Sequence, residues 1–170
     1  MVYGKLITPE GNTLEQIKDS MKDISDIREE IFGFREDNKD IGANEVLIIG
    51  LNTNEYAAIG RLYMNENYDF VIDLIGVLEK YRGLKYGDFV IRMLVDKAFS
   101  CGASKVYAHK AIRNMSGSED FLKRYNFQSV SKDDVKGVKI LNDKDSVNEN
   151  IEEYMILDRK DYRTGCGHCH

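Results

Sequence analysis

From Tyr68 to Ser100 the chain passes from one apolar segment to another through the basic, glycine-punctuated turn Lys80 to Gly87, and no proline separates them. Tyr68 to Leu78 has the β-branched and aromatic content of a strand. Gly87 to Ser100 repeats Val90, Ile91, Leu94, Val95 and Ala98 at helical spacing, so one side of a helix is apolar. The turn between them falls at a helix N-terminus, where backbone N–H groups lack partners and the dipole is positive. Glycine lets the backbone close round an anion without a Cβ in the way, and the guanidinium of Arg82 offers phosphate a fork of donors. The run Arg82, Gly83, Leu84, Lys85, Tyr86, Gly87 is thus a candidate anion cradle.

The remaining segments predict an α/β domain with helices interleaved in a mixed, mainly antiparallel sheet. Met1 to Ile7 reads as a short strand, and Thr13 with Gln16 has the capping-box form that starts a helix. Leu14, Ile17, Met21, Ile24, Ile27 and Ile31 then make one apolar stripe. Glu45 to Leu51 and Tyr56 to Met64 read as a hairpin, Lys105 to Ala111 as a further strand, and Glu119 to Tyr125 as a short helix. Ser129 to Leu157 supplies two strands flanking the polar stretch Asn142 to Asn150. At 170 residues, 1–164 are expected to form one domain and 165–170 a tail.

A formal charge of −5 gives no general attraction to phosphodiester backbones, so nucleic acid is not an expected partner. The longest purely aliphatic run, Val46 to Ile49, is too short to span a bilayer, and the first residues lack the pattern of a secretory signal. Three cysteines make no disulfide framework for a domain of this size. The expectation is a cytoplasmic protein that uses no membrane.

Strand, glycine-bearing basic turn, long helix, strand, short helix and aromatic stop follow one another in an order that resembles the GNAT superfamily of acyl-CoA-dependent N-acetyltransferases, from about residue 44 to 157. The family's pyrophosphate signature, Q/R-x-x-G-x-G/A, falls on Arg82 to Gly87, which Arg82, Gly83 and Gly87 fit. A second pattern, A-x-x-F-Y-x-x-x-G-F, falls on Ser118 to Phe127, where Phe121 and Phe127 match. The resemblance implies that acetyl-CoA is the cosubstrate. It also implies that the backbone of Ile75, Gly76 and Val77 pairs with pantetheine, that the Arg82 to Gly87 turn holds the pyrophosphate, and that Asn114 and Phe121 lie near the cofactor.

This chain departs from the family pattern in two places. Lys85 stands at the first glycine; if that position needs a positive φ, a lysine costs about 1–2 kcal/mol there, although its ammonium can pair with phosphate. Asp88 beside it opposes the phosphates but suits the helix dipole. Leu122 stands where many family members carry the tyrosine that protonates the departing thiolate; Tyr125, one turn later, is the candidate replacement, with water as the alternative. Strict alternation places Val71, Asp73, Ile75 and Val77 on one strand face, which makes Asp73 the candidate general base, or else a partner of a neighbouring cation. Phe32, Phe34, Arg35, Asp37 and Tyr63 are expected to line the acceptor pocket.

The tail carries Cys166, His168, Cys169 and His170. Consecutive ligands converge poorly on one tetrahedral ion, so no structural metal is expected, and a frayed end, adventitious metal binding and thiol chemistry stay open. His109 is expected to be structural. The expected function is direct acetyl transfer to a primary amine of a small molecule or peptide, with a homodimer as one assembly that suits the fold. The alternative is a GNAT-like module that binds coenzyme A or a protein partner without catalysis.

Overall fold

The computed structural model describes residues 2–8, 14–36, 43–50, 53–64, 70–130 and 153–162. Along the chain these form β1 (Gly4–Ile7), α1 (Leu14–Phe32), β2 (Asn44–Ile49), β3 (Tyr56–Met64), β4 (Phe70–Val77), α2 (Tyr86–Ser100), β5 (Lys105–His109), α3 (Ser118–Lys123), β6 (Gln128–Ser129) and β7 (Tyr154–Asp158). Asp37, the capping residue Thr13, the stretch Asn142 to Asn150 and the tail residues Cys166, His168, Cys169 and His170 lie outside the described residues. The described strands form one seven-stranded sheet in the order β1-β2-β3-β4-β5-β7-β6. Every pairing is antiparallel except β4 with β5, which α2 joins as a crossover.

The two parallel strands meet only briefly. Phe70, Val71 and Ile72 pair with Val106, Tyr107 and Ala108, and beyond Ile72 β4 has β3 on one side but no β5 register on the other. The parting begins at a bulge. Leu62 pairs with Ile72 and Arg61 with Leu74, so Asp73 is the extra residue; such an insertion bends a strand and raises its twist. The bulge also corrects the alternation expected from the sequence. A Cβ on Gly76 would meet Ile31 and Phe32 of α1, whereas Gly60, paired with Ile75, faces Val90 and Leu94 of α2. Ile75 and Val77 therefore belong to the α2 face, and Asp73 shares the opposite face with Arg61.

The stripe predicted for α2 is buried throughout, and in that predicted for α1 the middle is buried while Met21 and Ile31 are partly so. In α2, Val90, Ile91, Leu94, Val95 and Ala98 are all buried, and in α1 Ile24 and Ile27 are buried. His109 packs its ring 4.3 Å from that of Tyr154, as a structural histidine would. One member of the α1 face was not foreseen: Arg28 is fully buried and ion-paired with Glu45 of β2. Glu45 stands opposite Arg61 in the β2–β3 register, and Arg61 holds Asp73, so alternating charges cross three strands under α1. Among the described residues, no helix is long and apolar enough to cross a membrane.

Glycine at position 60 is required by close approach, since a Cβ there would come within 2.3 Å of Val90 Cγ1 and 2.8 Å of Leu94 Cδ1. Gly60→Ala is expected to lower stability by about 1–3 kcal/mol through overpacking against α2. Urea titration should show an earlier midpoint with an unchanged slope.

Candidate functional site

Where β4 and β5 part, a cleft of about 330 Å³ opens. Its walls come from the C-terminal turn of α1 (Ile31, Phe32), the end of β4 (Ile75 to Val77) and the loop after β5 (Arg113 to Ser116), with Arg82 at its rim. The β4 edge facing this gap has no strand partner, so its backbone polar groups can pair with an extended, amide-bearing ligand. At Gly76 there is no side chain, and α1 closes in on that face with Phe32.

The cleft leads to the loop before α2. A 3-10 turn, Glu79–Tyr81, ends β4, and Arg82 then donates from Nε to the carbonyl of Val77 at 3.4 Å, which keeps its guanidinium beside the strand end. Gly83 has φ 80° and Lys85 has φ 63° with ψ 20°, so the lysine does occupy the left-handed conformation that its place in the signature demands. Lys85 caps α2 without any side-chain hydrogen bond, and the first bond of the helix runs from Phe89 N to Lys85 O. The N–H groups of Tyr86, Gly87 and Asp88 consequently lie in an uncapped first turn, available to an anion. A Cβ at Gly87 would meet only Phe121 and Val77 at 3.9 Å, so no protein contact forces glycine there.

Several expected site residues take other parts. Tyr86 turns its ring into the core, edge-on to Tyr81 with centroids 5.7 Å apart, so only its backbone faces the loop. Asp73 is buried and bound by Arg61 through both oxygens, Nε to Oδ1 at 3.0 Å and Nη2 to Oδ2 at 2.7 Å. Buried in that ion pair and not among the residues lining the cleft, its carboxylate does not face a ligand there, which removes the geometric basis for reading it as the general base. Tyr125 donates its hydroxyl to Asp88, and burial together with that bond pushes the phenol well above its ordinary pKa. It is not among the residues lining the cleft. Leu122 is fully buried in the core. Asn114 lines the cleft in a left-handed conformation (φ 59°) and donates from Nδ2 to the carbonyl of Ile31 at 2.8 Å, strapping the β5–α3 loop to α1. Arg35 pairs with Asp26 and Glu29 on the surface, and Tyr63 packs against a small cluster containing Val71 and Tyr107.

Sequence reasoning missed Arg113 and Ser116. Arg113 lies 5.0 Å over the ring of Phe34, and Ser116 is the one hydroxyl-bearing side chain among those lining the cleft. Neither belongs to a motif, and only the folding of the β5–α3 loop across the gap brings them in. Among the described residues there is no cluster of His, Cys, Asp and Glu able to hold a metal ion.

The parted strands, open β4 edge and uncapped helix behind a basic glycine turn coincide with a match to the model of the acetyltransferase (GNAT) family over residues 14–127. The chain belongs to the GNAT acetyltransferase family. A search of curated protein sequences finds no match. Among solved structures, a GNAT-family acetyltransferase from Staphylococcus aureus is similar at TM-score 0.56 and 13% identity, covering 92% of this chain and 99% of that one. An acyl-CoA N-acyltransferase from Pseudomonas aeruginosa is similar at TM-score 0.58 and 16% identity, over 77% and 89% of the two chains. N-acetylglutamate synthase from Neisseria gonorrhoeae, solved with coenzyme A and N-acetyl-glutamate, is similar at TM-score 0.55 and 13% identity, over 92% of this chain and 35% of that one. At these identities the likeness is one of fold, and it carries the mixed sheet and helices of the GNAT architecture.

Two substitutions examine the site without any ligand. Asp73→Asn leaves Arg61 buried beside a neutral amide, so a stability loss of about 3–5 kcal/mol is expected in denaturant titration. If the variant is instead as stable as the parent, the pair is not structural. Lys85→Gly removes left-handed strain worth about 1–2 kcal/mol but adds unfolded-state entropy, so a net gain of up to about 1 kcal/mol should appear in the same assay.

Proposed function

We propose that this GNAT domain transfers an acetyl group from acetyl-CoA directly to a primary amine. The observation that carries the reading is the continuity of one path: the unpartnered edge of β4 from Ile75 to Val77 ends at Arg82, and the uncapped first turn of α2 follows at once. Ile75, Gly76 and Val77 would offer backbone hydrogen bonds to pantetheine amides. Arg82 and the N–H groups of Tyr86, Gly87 and Asp88 would hold the pyrophosphate. Gly83 and Leu84 shape the loop, and Phe121 backs it at Gly87.

The thioester supplies an activated acetyl carbonyl. Binding at the strand edge fixes that carbonyl against an incoming amine, and this loss of rotational and translational freedom is the part of the rate that the fold itself provides. As the C–N bond forms and the C–S bond breaks, the amine loses one proton and the thiolate gains one. With Asp73 locked by Arg61 and Tyr125 committed to Asp88, water takes the proton from the amine. Ser116, the one hydroxyl-bearing side chain among the residues lining the cleft, would serve the thiolate side through a water. Phe32 and Phe34 then wall the acceptor's side of the gap, their rings 6.0 Å apart.

A second reading has specific support. Leu122 is fully buried and offers no hydroxyl, and neither Asp73 nor Tyr125 presents a free proton-transfer group to the cleft, which favours a coenzyme A-binding module without transferase activity. Titration calorimetry with acetyl-CoA, followed by mass spectrometry of an amine panel, separates the two. Binding with acetylated product supports the enzyme, and binding without product across the panel supports the module. Arg82→Ala combined with Gly87→Glu should weaken acetyl-CoA binding by about 100-fold or more, since it removes a forked cation and sets a carboxylate at the anion. Position 87 has room for a Cβ and an acidic residue suits a helix start, so the variant should fold normally. Unchanged affinity in that variant would move the ligand elsewhere.

A further inference from the structure

The charge lining the cleft is of one sign. Arg82 and Arg113 are among the lining residues, and no carboxylate is. Arg82 belongs to the loop end, where its Nε donates to the carbonyl of Val77. Arg113 stands across the gap from β4, in the β5–α3 loop that Asn114 straps to the carbonyl of Ile31. Its guanidinium lies 5.0 Å over the ring of Phe34, just beyond the end of α1, and the guanidinium of Arg28 lies 5.9 Å from the centre of the same ring. The two cations differ in one respect. Arg28 is buried and paired with Glu45, whereas Arg113 is exposed and has no ion-pair partner among the described residues. Arg35, next in the chain to Phe34, is already paired with Asp26 and Glu29. The aromatic face therefore positions Arg113 without neutralising it, and its fork of N–H donors is left for an anion.

We infer that the amine acceptor also carries a carboxylate, as an amino acid does, and that Arg113 binds that carboxylate and so sets the substrate class. The inference rests on the reading of the cleft as the site of acetyl transfer. On that reading the pyrophosphate is held at the loop end by Arg82 and the first turn of α2, and the thioester lies along Ile75 to Val77. Phe32 closes on Gly76 from the other side of the gap. Phe34 follows Phe32, with 6.0 Å between ring centres, and Arg113 stands over Phe34. This guanidinium is thus one ring further out than Phe32, on the acceptor's side and away from the pyrophosphate. A simple amine, a polyamine or a lysine side chain arrives as an ammonium, meets two arginines and finds no carboxylate in the lining to offset the repulsion. An amino acid is a zwitterion. Its carboxylate can accept the fork of Arg113 through both oxygens while its nitrogen stays toward the strand edge.

Steady-state acetylation by the full chain tests this with paired acceptors: each amino acid of a panel against its own α-amide, which keeps the side chain and the amine and loses only the charge, with simple alkylamines alongside. The parent should prefer the acid of each pair by about 10- to 100-fold in kcat/KM, the range for hydrogen bonds to charged groups. In Arg113→Gln the ratio should fall towards one through a higher KM for the acid. Calorimetric affinity for acetyl-CoA and thermal unfolding should stay close to those of the parent, because the side chain is exposed and lies away from the loop. Equal use of acid and amide by the parent, preference for the simple amines, or a ratio that Arg113→Gln retains would overturn the inference and leave the proposed function standing. A loss of acetyl-CoA affinity in Arg113→Gln would overturn it as well, since the arginine would then be a contact of the donor. If no amino acid, amide or simple amine were acetylated, both readings would fall.

Discussion

The pairing of Arg61 with Asp73, continued through Glu45 to Arg28, is the interaction on which the rest of this structure turns. Four charged side chains that would each be costly to bury alone lie in one row beneath α1, and their signs alternate. Such a row contributes little net stability compared with well-packed apolar residues, because desolvation offsets most of the Coulombic gain. It does discriminate between arrangements. A slip of one residue between β2 and β3 would take Glu45 from the face of Arg61 and leave buried charges unpaired, so the register of the central strands and the seat of α1 are specified together.

From that constraint the site follows in steps. Arg61 faces both Asp73 and Leu74 across the bulge, and β4 bends there. Past the bend β4 leaves β5, its outer edge is bare, and side chains change faces so that Gly76 rather than Ile75 lies under α1. Phe32 can approach the strand closely because Gly76 has no Cβ to exclude it. Asn114 then ties the opposite wall of the gap back to the carbonyl of Ile31. The cleft is held open by one bulge and held together by one helix.

The glycine-bearing turn before α2 is a second, more local device, and it shows how a sequence departure can be absorbed. Lys85 adopts a conformation that glycine would adopt at lower cost, and Asn126 (φ 66°) does the same in the turn before Phe127. Asparagine tolerates the left-handed region comparatively well, whereas lysine does not, so the lysine is the costlier replacement. Proton transfer presents a different case. The two groups nominated for it, Asp73 and Tyr125, are both engaged by partners inside the protein, which is why the proposed reaction assigns its proton transfers to water and to the short loop after β5.

Short-range patterns in the sequence determined the order of elements, the apolar sides of α1 and α2, the hairpin of β2 and β3, and the glycine-bearing turn at the start of α2, because periodicity, capping and turn chemistry act over a few residues. The resemblance of that order to the GNAT pattern was legible for the same reason. Tertiary structure alone decided which partner each charged group takes. Arg28 lies in a helical stripe but meets Glu45 seventeen residues on, Asp73 meets Arg61 across a strand pair, and Tyr125 meets Asp88 from another helix, thirty-seven residues away. No local rule reaches that far. The bulge at Asp73 is likewise invisible to alternation, since an extra residue changes the face of everything after it without changing the composition of the strand. Arg113 and Ser116 entered the cleft only because β4 and β5 part, and that parting depends on how two strands register against different neighbours.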